Sequence, residues 1–144
     1  MKETLVHVED GSTGERIVRE YFASKGITHF QIDWMTYEEE EYRLNEVKYQ
    51  EIFTPGSNCP FYGHGLPPRQ VKARMDFFAR TRIVPYLYVV EKSDYERKED
   101  HHLIWFKSLI ALEMGKHMDT QGEDPRRVYD IRSFNKTYFA KRVS

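Results

Sequence analysis

The sequence predicts a mixed-sheet α/β domain, and three observations carry that prediction. Two separated segments, around 17–22 and 71–78, place apolar residues at helical spacing. Ile83 to Val90 (IVPYLYVV) is a continuous apolar run, the pattern of a strand covered on both faces. Between and around these lie strand-like stretches, giving the order helix, strand, strand, helix, strand, then one or two more strands. At 144 residues, 40% hydrophobic and 15% aromatic, the chain is expected to form one domain (1–144) with a real core.

The first helix is predicted to start at Ser12-Thr13-Gly14-Glu15. That run matches a capping box, with Ser12 as N-cap and Glu15 at N3. Ile17, Val18, Tyr21 and Phe22 supply its apolar stripe, and Gly26 its stop. A strand over Phe30 to Tyr37 follows, with Phe30, Ile32 and Trp34 on one face and Gln31, Asp33 and Met35 on the other. Glu38 to Glu41 is too acidic for a buried element and reads as a turn. Tyr42 to Phe53 returns as the second strand of an antiparallel hairpin.

Thr54 to Pro68 holds four of the six prolines and three glycines and reads as a long loop. Its Phe61, Tyr62 and His64 are placed either to contact a substrate or to pin the loop to the body. Pro68 opens the second helix. Val71, Met75 and Phe78 form its apolar stripe, while Gln70, Arg74 and Thr81 lie along another face. The apolar strand of 83–90 carries Pro85 near its start, where proline is tolerated. Ser93 to Asp100 is a charged loop. His102 to Leu112 contains a strand whose latter part has helical character. The polar stretch Asp119 to Asp124 leads to a short last strand at Val128 to Ile131.

The net charge of −1 removes any whole-chain basic signal for nucleic acid. Its distribution is uneven. Glu38 to Glu51 holds six Glu against Arg43 and Lys48, Arg69 to Arg82 holds five basic residues against Asp76, and Arg126 to Arg142 holds six against Asp130. An acidic centre between basic elements suits a metal site that grips a polyanion; an ordinary solvated surface carries such charges too. The single cysteine, Cys59, excludes an internal disulfide and fits a reducing compartment. With no apolar leader and no run of 18 apolar residues, a cytoplasmic protein with no membrane partner is expected.

The chemistry concentrates in Glu46-Val47-Lys48 and in Asp33, thirteen positions earlier. In a strand, residues i and i+2 share a face, roughly 6.6 Å apart. Glu46 and Lys48 therefore point one way and Val47 the other, into a core. An Asp on a neighbouring strand would complete two carboxylates and one ammonium, a set suited to a divalent ion beside a positioned water. Glu-x-Lys by itself is weak, since on a solvated strand it is a same-face ion pair. Cys59 and His64 supply only two of the four ligands a structural zinc needs, and no base adjoins Cys59 to activate it.

The order of elements and the Asp33…Glu46-Val47-Lys48 pattern resemble the PD-(D/E)xK nuclease superfamily, the restriction-endonuclease-like fold. Within it the small size is most similar to Holliday-junction-resolvase-type and stand-alone RecB-type nucleases. The resemblance spans about 11–91, with the C-terminal strands and tail (101–144) contributing little. It departs at Ile32, where the motif's name has proline. The resemblance implies a central mixed β-sheet flanked by helices. It implies Mg²⁺ or Mn²⁺ held by Asp33, Glu46 and the Val47 carbonyl, with Lys48 acting on the attacking water. Glu15 would be a further acidic member, with Glu20 as a weaker stand-in. Gln70 would support the site, Arg74 would face the same way one turn on, and Arg69, Lys72, Arg80 and Arg82 would contact phosphates. The implied activity is metal-dependent hydrolysis of DNA phosphodiesters, with structure-specific cleavage of branched DNA as one form of it; a branched-substrate preference predicts a symmetric homodimer. The competing reading is a non-catalytic nucleic-acid or protein-binding module on the same fold.

Overall fold

The computed structural model of the chain describes residues 2–29, 34–56 and 58–141, with the backbone course alone at 2–12, 28 and 29. Helix α1 (Lys2–Ser24) begins well before Ser12, so Ser12 to Glu15 lies inside the helix and is not a capping box. Gly14 has a different role there. A Cβ at that position would stand 2.9 Å from the Cβ of Tyr49, so the missing side chain lets α1 lie against the neighbouring strand. The expected stop holds: Gly26 takes φ +68, and the amides of Lys25, Gly26 and Ile27 close back onto Tyr21, Ala23 and Phe22 carbonyls.

Strand β1 (Thr28–His29) pairs antiparallel with β2 (Met35–Glu38), Thr28 opposite Tyr37. Of the strand expected over 30–37, the described residues show β2 preceded by Trp34 in a turn at φ 56. Residues 30–33, Asp33 among them, lie outside the described residues. The acidic turn is as expected. Glu39 and Glu40 both take positive φ (52 and 60) in a two-residue connection between β2 and β3 (Glu41–Gln50). Its acids have a purpose: the buried Arg43 guanidinium collects Glu38 at 2.5 Å and Glu41 at 2.8 Å and lies over the Tyr86 ring.

The stretch 54–68 is not wholly a loop. Gly63–Leu66 forms β4, fully buried, in a second sheet of order β4-β8-β7 with β7 (His117–Asp119) and β8 (Arg127–Asp130). Alternating glycines weaken a strand pattern, which is why this one reads as loop in sequence. They are required here: a Cβ on Gly65 would lie 1.9 Å from the Arg127 carbonyl oxygen. Phe61 is buried with Cys59 and Val128, and Tyr62 packs on Tyr95, so these aromatics pin the segment to the body.

Helix α2 (Pro68–Thr81) opens on Pro68 as expected and crosses from β3 to the parallel strand β5 (Val84–Glu91). Strand β6 (His101–Ser108) runs back antiparallel, and Ser108 then caps α3 (Leu109–Met114) through the Ala111 amide. Val128 to Ile131 is not the last strand, since β9 (Asn135–Ala140) follows and pairs with β6. The main sheet is six-stranded and mixed, ordered β1-β2-β3-β5-β6-β9. Helix α1 covers one face through Ile17, Val18, Tyr21 and Phe22 against Tyr88, Val90 and Ile104. Val71 of α2, Leu109 and Leu112 of α3, and Leu66 and Tyr129 of the second sheet cover the other, against Leu87, Val89, Leu103 and Trp105. β5 is therefore apolar on both faces, and the C-terminal third is integral to the core. Among the described residues no helix is long and apolar enough to cross a membrane.

Candidate functional site

Strand β3 organises the site through its alternation. Val47 and Tyr49 pack into the core under α1. Glu46, Lys48 and Gln50 therefore share the opposite face, the one α2 covers. The parallel register sets Glu46 opposite Leu87, Lys48 opposite Val89 and Gln50 opposite Glu91. The backbone alternates as well. The Gln50 carbonyl accepts from Lys92 N on the β5 side at 3.0 Å, while Asn45 N donates the other way, to the Trp34 carbonyl, at 3.2 Å. By the same alternation the Val47 carbonyl points away from β5, to the edge of β3 that β2 leaves after Leu44.

Helix α2 brings two of the expected partners onto this face. Arg74 Nη2 lies 3.2 Å from Glu46 Oε1, an ion pair between half-buried side chains. Gln70, one turn earlier, has its Oε1 buried without a hydrogen-bond partner. A cleft of about 550 Å³ opens beside it, lined by Lys48, Gln50, Arg69, Gln70, Asp124 and Arg126 among others. Arg126 is tied to Asp124 at 2.6 Å on the far lip. Lys72 is exposed and lines a separate hollow with Val71, Met75 and Glu113. Glu15 belongs to α1, across the sheet from Glu46 and Lys48, and is not brought to them. Asp33 lies outside the described residues. Its chain neighbour Trp34 is held to Asn45, immediately before Glu46, through both the Asn45 amide and Nδ2 at 2.9 Å.

The donor set suits a hard divalent ion in kind. Glu46 offers a carboxylate and Val47 an edge-facing carbonyl, the oxygen types Mg²⁺ and Mn²⁺ take. Arg74 opposes it, because a metal on Glu46 Oε1 has to displace the guanidinium. Among the described residues no three His, Cys, Asp or Glu side chains gather at one point, and the second carboxylate of the expected set, Asp33, lies outside them.

A second constellation at the back of the cleft escapes sequence reasoning. His64, fully buried on β4, sets Nε2 2.7 Å from Glu91 Oε1 and Nδ1 2.8 Å from Gln50 Oε1. The Gln50 amide cannot be flipped, since its Oε1 also accepts from Gly65 N (3.2 Å) and its Nε2 donates to Gly65 O (3.3 Å). Both ring nitrogens thus face acceptors, and the bonding pattern assigns hydrogens to both, an imidazolium against a carboxylate. Glu91 accepts further from Trp105 Nε1, Ile52 N, Ser93 N and Ser93 Oγ. Burial pushes the Glu91 carboxyl up, but the bonds from His64, Ser93 and Trp105 outweigh it and hold it below its usual range. The available signals were Gln50 two residues past Lys48 and the Gly-His-Gly run at 63–65. Neither identifies Glu91 as the partner. Cys59 donates to the Phe61 carbonyl in a different cluster, so it forms no ligand pair with His64.

Comparison with protein-family models, curated proteins and solved structures finds no match to this chain in any of the three.

Proposed function

We propose that this protein is a metal-dependent deoxyribonuclease that hydrolyses phosphodiester bonds by in-line attack of water. One observation carries the reading: β3 presents Glu46 and Lys48 on a single face, and α2 closes over that face with Gln70 and Arg74. A bound Mg²⁺ or Mn²⁺ supplies Lewis-acid chemistry at the phosphoryl oxygens. Glu46, the Val47 carbonyl and Asp33 are the residues that would hold it. Lys48 places an ammonium where charge builds on the phosphorane and orients the attacking water. The water oxygen bonds phosphorus and gives up a proton, the P–O3′ bond breaks, and the released 3′-alkoxide takes up a proton, leaving a 3′-hydroxyl and a 5′-phosphate. Arg69 and Arg126, on opposite sides of the cleft, supply phosphate contacts that position the strand.

The alternative is a nucleic-acid-binding module without catalysis. The Arg74–Glu46 ion pair favours it, because it neutralises the carboxylate a metal would need. Incubating the protein with single-stranded, duplex and branched DNA and with RNA, in Mg²⁺ and in Mn²⁺, separates the two. The nuclease reading expects EDTA-sensitive cleavage that drops by about 10²–10⁴-fold in Lys48→Ala. Cleavage that persists in the purified variant refutes Lys48 as the water-side cation. A preference for four-way junctions would call for a symmetric dimer, seen by sedimentation, because such a junction offers two related cleavage points.

A further inference from the structure

We infer that the hollow at the β5–β6 connection is a phosphate-binding subsite that grips a DNA strand a few nucleotides from the bond cleaved; this rests on the nucleic-acid reading above. The hollow measures about 170 Å³, with Lys92, Arg97, Lys98, His101, His102 and Lys141 in its lining. Its size selects the ligand. At about 30 Å³ per water it holds five or six waters' worth of volume. That is room for a phosphate group and part of its hydration, well short of the roughly 300 Å³ at which organic-ligand pockets start.

The carboxylates of its lining do not reach Lys98 or Lys141. Among the described residues two carboxylates line it. Glu91 is consumed by His64, Trp105 and Ser93, and Asp94 is bound to Arg97 at 2.9 Å. Among the described residues Lys98 meets only the Tyr138 ring, and no carboxylate reaches the Lys141 ammonium. The same field is felt at His102. Burial pushes this imidazole down, and Lys141 and Arg16 push it further, against an opposing pull from Glu20. A bound anion relieves that repulsion, which ordinary surface lysines separated by water do not suffer.

The position fits a strand that also reaches Lys48. Lys92 N bonds the Gln50 carbonyl at 3.0 Å, so the hollow starts where β3 ends. At roughly 3.3 Å per residue, Gln50 lies about 7 Å beyond Lys48. A phosphate held in the hollow and one held at Lys48 therefore belong to neighbouring stretches of one strand, within a few nucleotides of each other. Lys92 stacks over Tyr49 on the α1 side of the sheet, whereas Lys48 faces α2. The strand therefore passes around the carboxyl end of β3 and β5, the end at which ligands gather in α/β sheets.

The test uses the full chain in EDTA, so that binding is read without cleavage. Fluorescence anisotropy of a labelled 20-mer single strand is followed against KCl concentration for wild type, Lys98→Ala/Lys141→Ala and a control, Lys25→Ala/Lys116→Ala, two exposed lysines that line neither the cleft nor the hollow. The subsite expects the first variant to lose about tenfold in affinity at 50 mM KCl and the salt slope to fall by about one to two. The control should stay within twofold, and circular dichroism should be unchanged in both. An affinity and slope equal to wild type overturn the subsite. Pyrophosphate binding that depends on Lys98 and Lys141 while DNA binding does not also overturns it, since the hollow would then serve free phosphates. DNA binding that depends on both lysines, in a protein with no cleavage under any metal, sinks the nuclease reading and leaves the subsite standing.

Discussion

Replacing His64 by leucine keeps most of the side-chain volume and removes the partner of a buried carboxylate. His64 is fully buried and the Glu91 side chain is 2% exposed, so water cannot take the histidine's place without opening the junction of the two sheets. At 2.7 Å and an effective dielectric of about 20, the direct attraction is on the order of 6 kcal/mol before desolvation. Removing one member of such a pair generally costs about 3–5 kcal/mol. Glu91 keeps its bonds from Trp105, Ile52 and Ser93, which still support its charge. The lower end, about 3 kcal/mol, is therefore expected for His64→Leu, equivalent to a fall in Tm on the order of 10 °C for a chain of this size. Urea unfolding of wild type, His64→Leu, Glu91→Gln and the double variant forms a cycle. A coupling above about 1.5 kcal/mol agrees with the ion pair. A His64→Leu loss under about 1 kcal/mol, or additive single losses, would refute the argument that the two groups act as one buried pair.

Two further outcomes follow from the same geometry. Gly65→Ala puts a methyl against the Arg127 carbonyl, a contact that only backbone movement can relieve, so β4 should separate from β8. A destabilisation of about 3 kcal/mol or more, or an insoluble product, is expected, and a soluble variant with wild-type Tm would show that the strands have slack. The pH dependence has a definite sign. Glu91, held below the ordinary carboxylate value of 4.5, and Asp119 and Asp130, held below 3.8, contribute stability that is fully present above those values. That stability is lost as pH falls through the lower native values. Tm measured from pH 7 to pH 2.5 should stay level to about pH 5 and then drop, and the drop should be shallower in the His64→Leu/Glu91→Gln variant.

The parts of the molecule legible in the sequence are those governed by local periodicity. The stripe Ile17, Val18, Tyr21 and Phe22 is a run of neighbours in sequence and in space, and it packs as read. Pro68 opens α2 and Gly26 ends α1 because proline and glycine act on their own backbone. The apolar run 83–90 is buried on both faces because nothing polar interrupts it until Glu91. Local pattern is ambiguous where two structures share it. Ser12-Thr13-Gly14-Glu15 has the residues of a cap, yet Gly14 serves a crossing with Tyr49, 35 positions away. The Gly-His-Gly of β4 looks like loop until β8 lies against it. Strand β9 leaves little local signature because it is only half-buried, with a weak alternation.

The site divides along the same line. By itself the sequence determines that Glu46 and Lys48 share one face of β3 and that Val47 turns into the core, since strand alternation needs no partner. It likewise determines that Gln70 and Arg74 stand one turn apart on a helix. Only the tertiary structure decides that Arg74 meets Glu46, that Glu15 lies across the sheet, and that Gln50, His64 and Glu91 join the two sheets. Those contacts join residues 14 to 28 positions apart. Their formation depends on which strands become neighbours and in which register. Register is a property of the packed core, and no local stretch of chain encodes it.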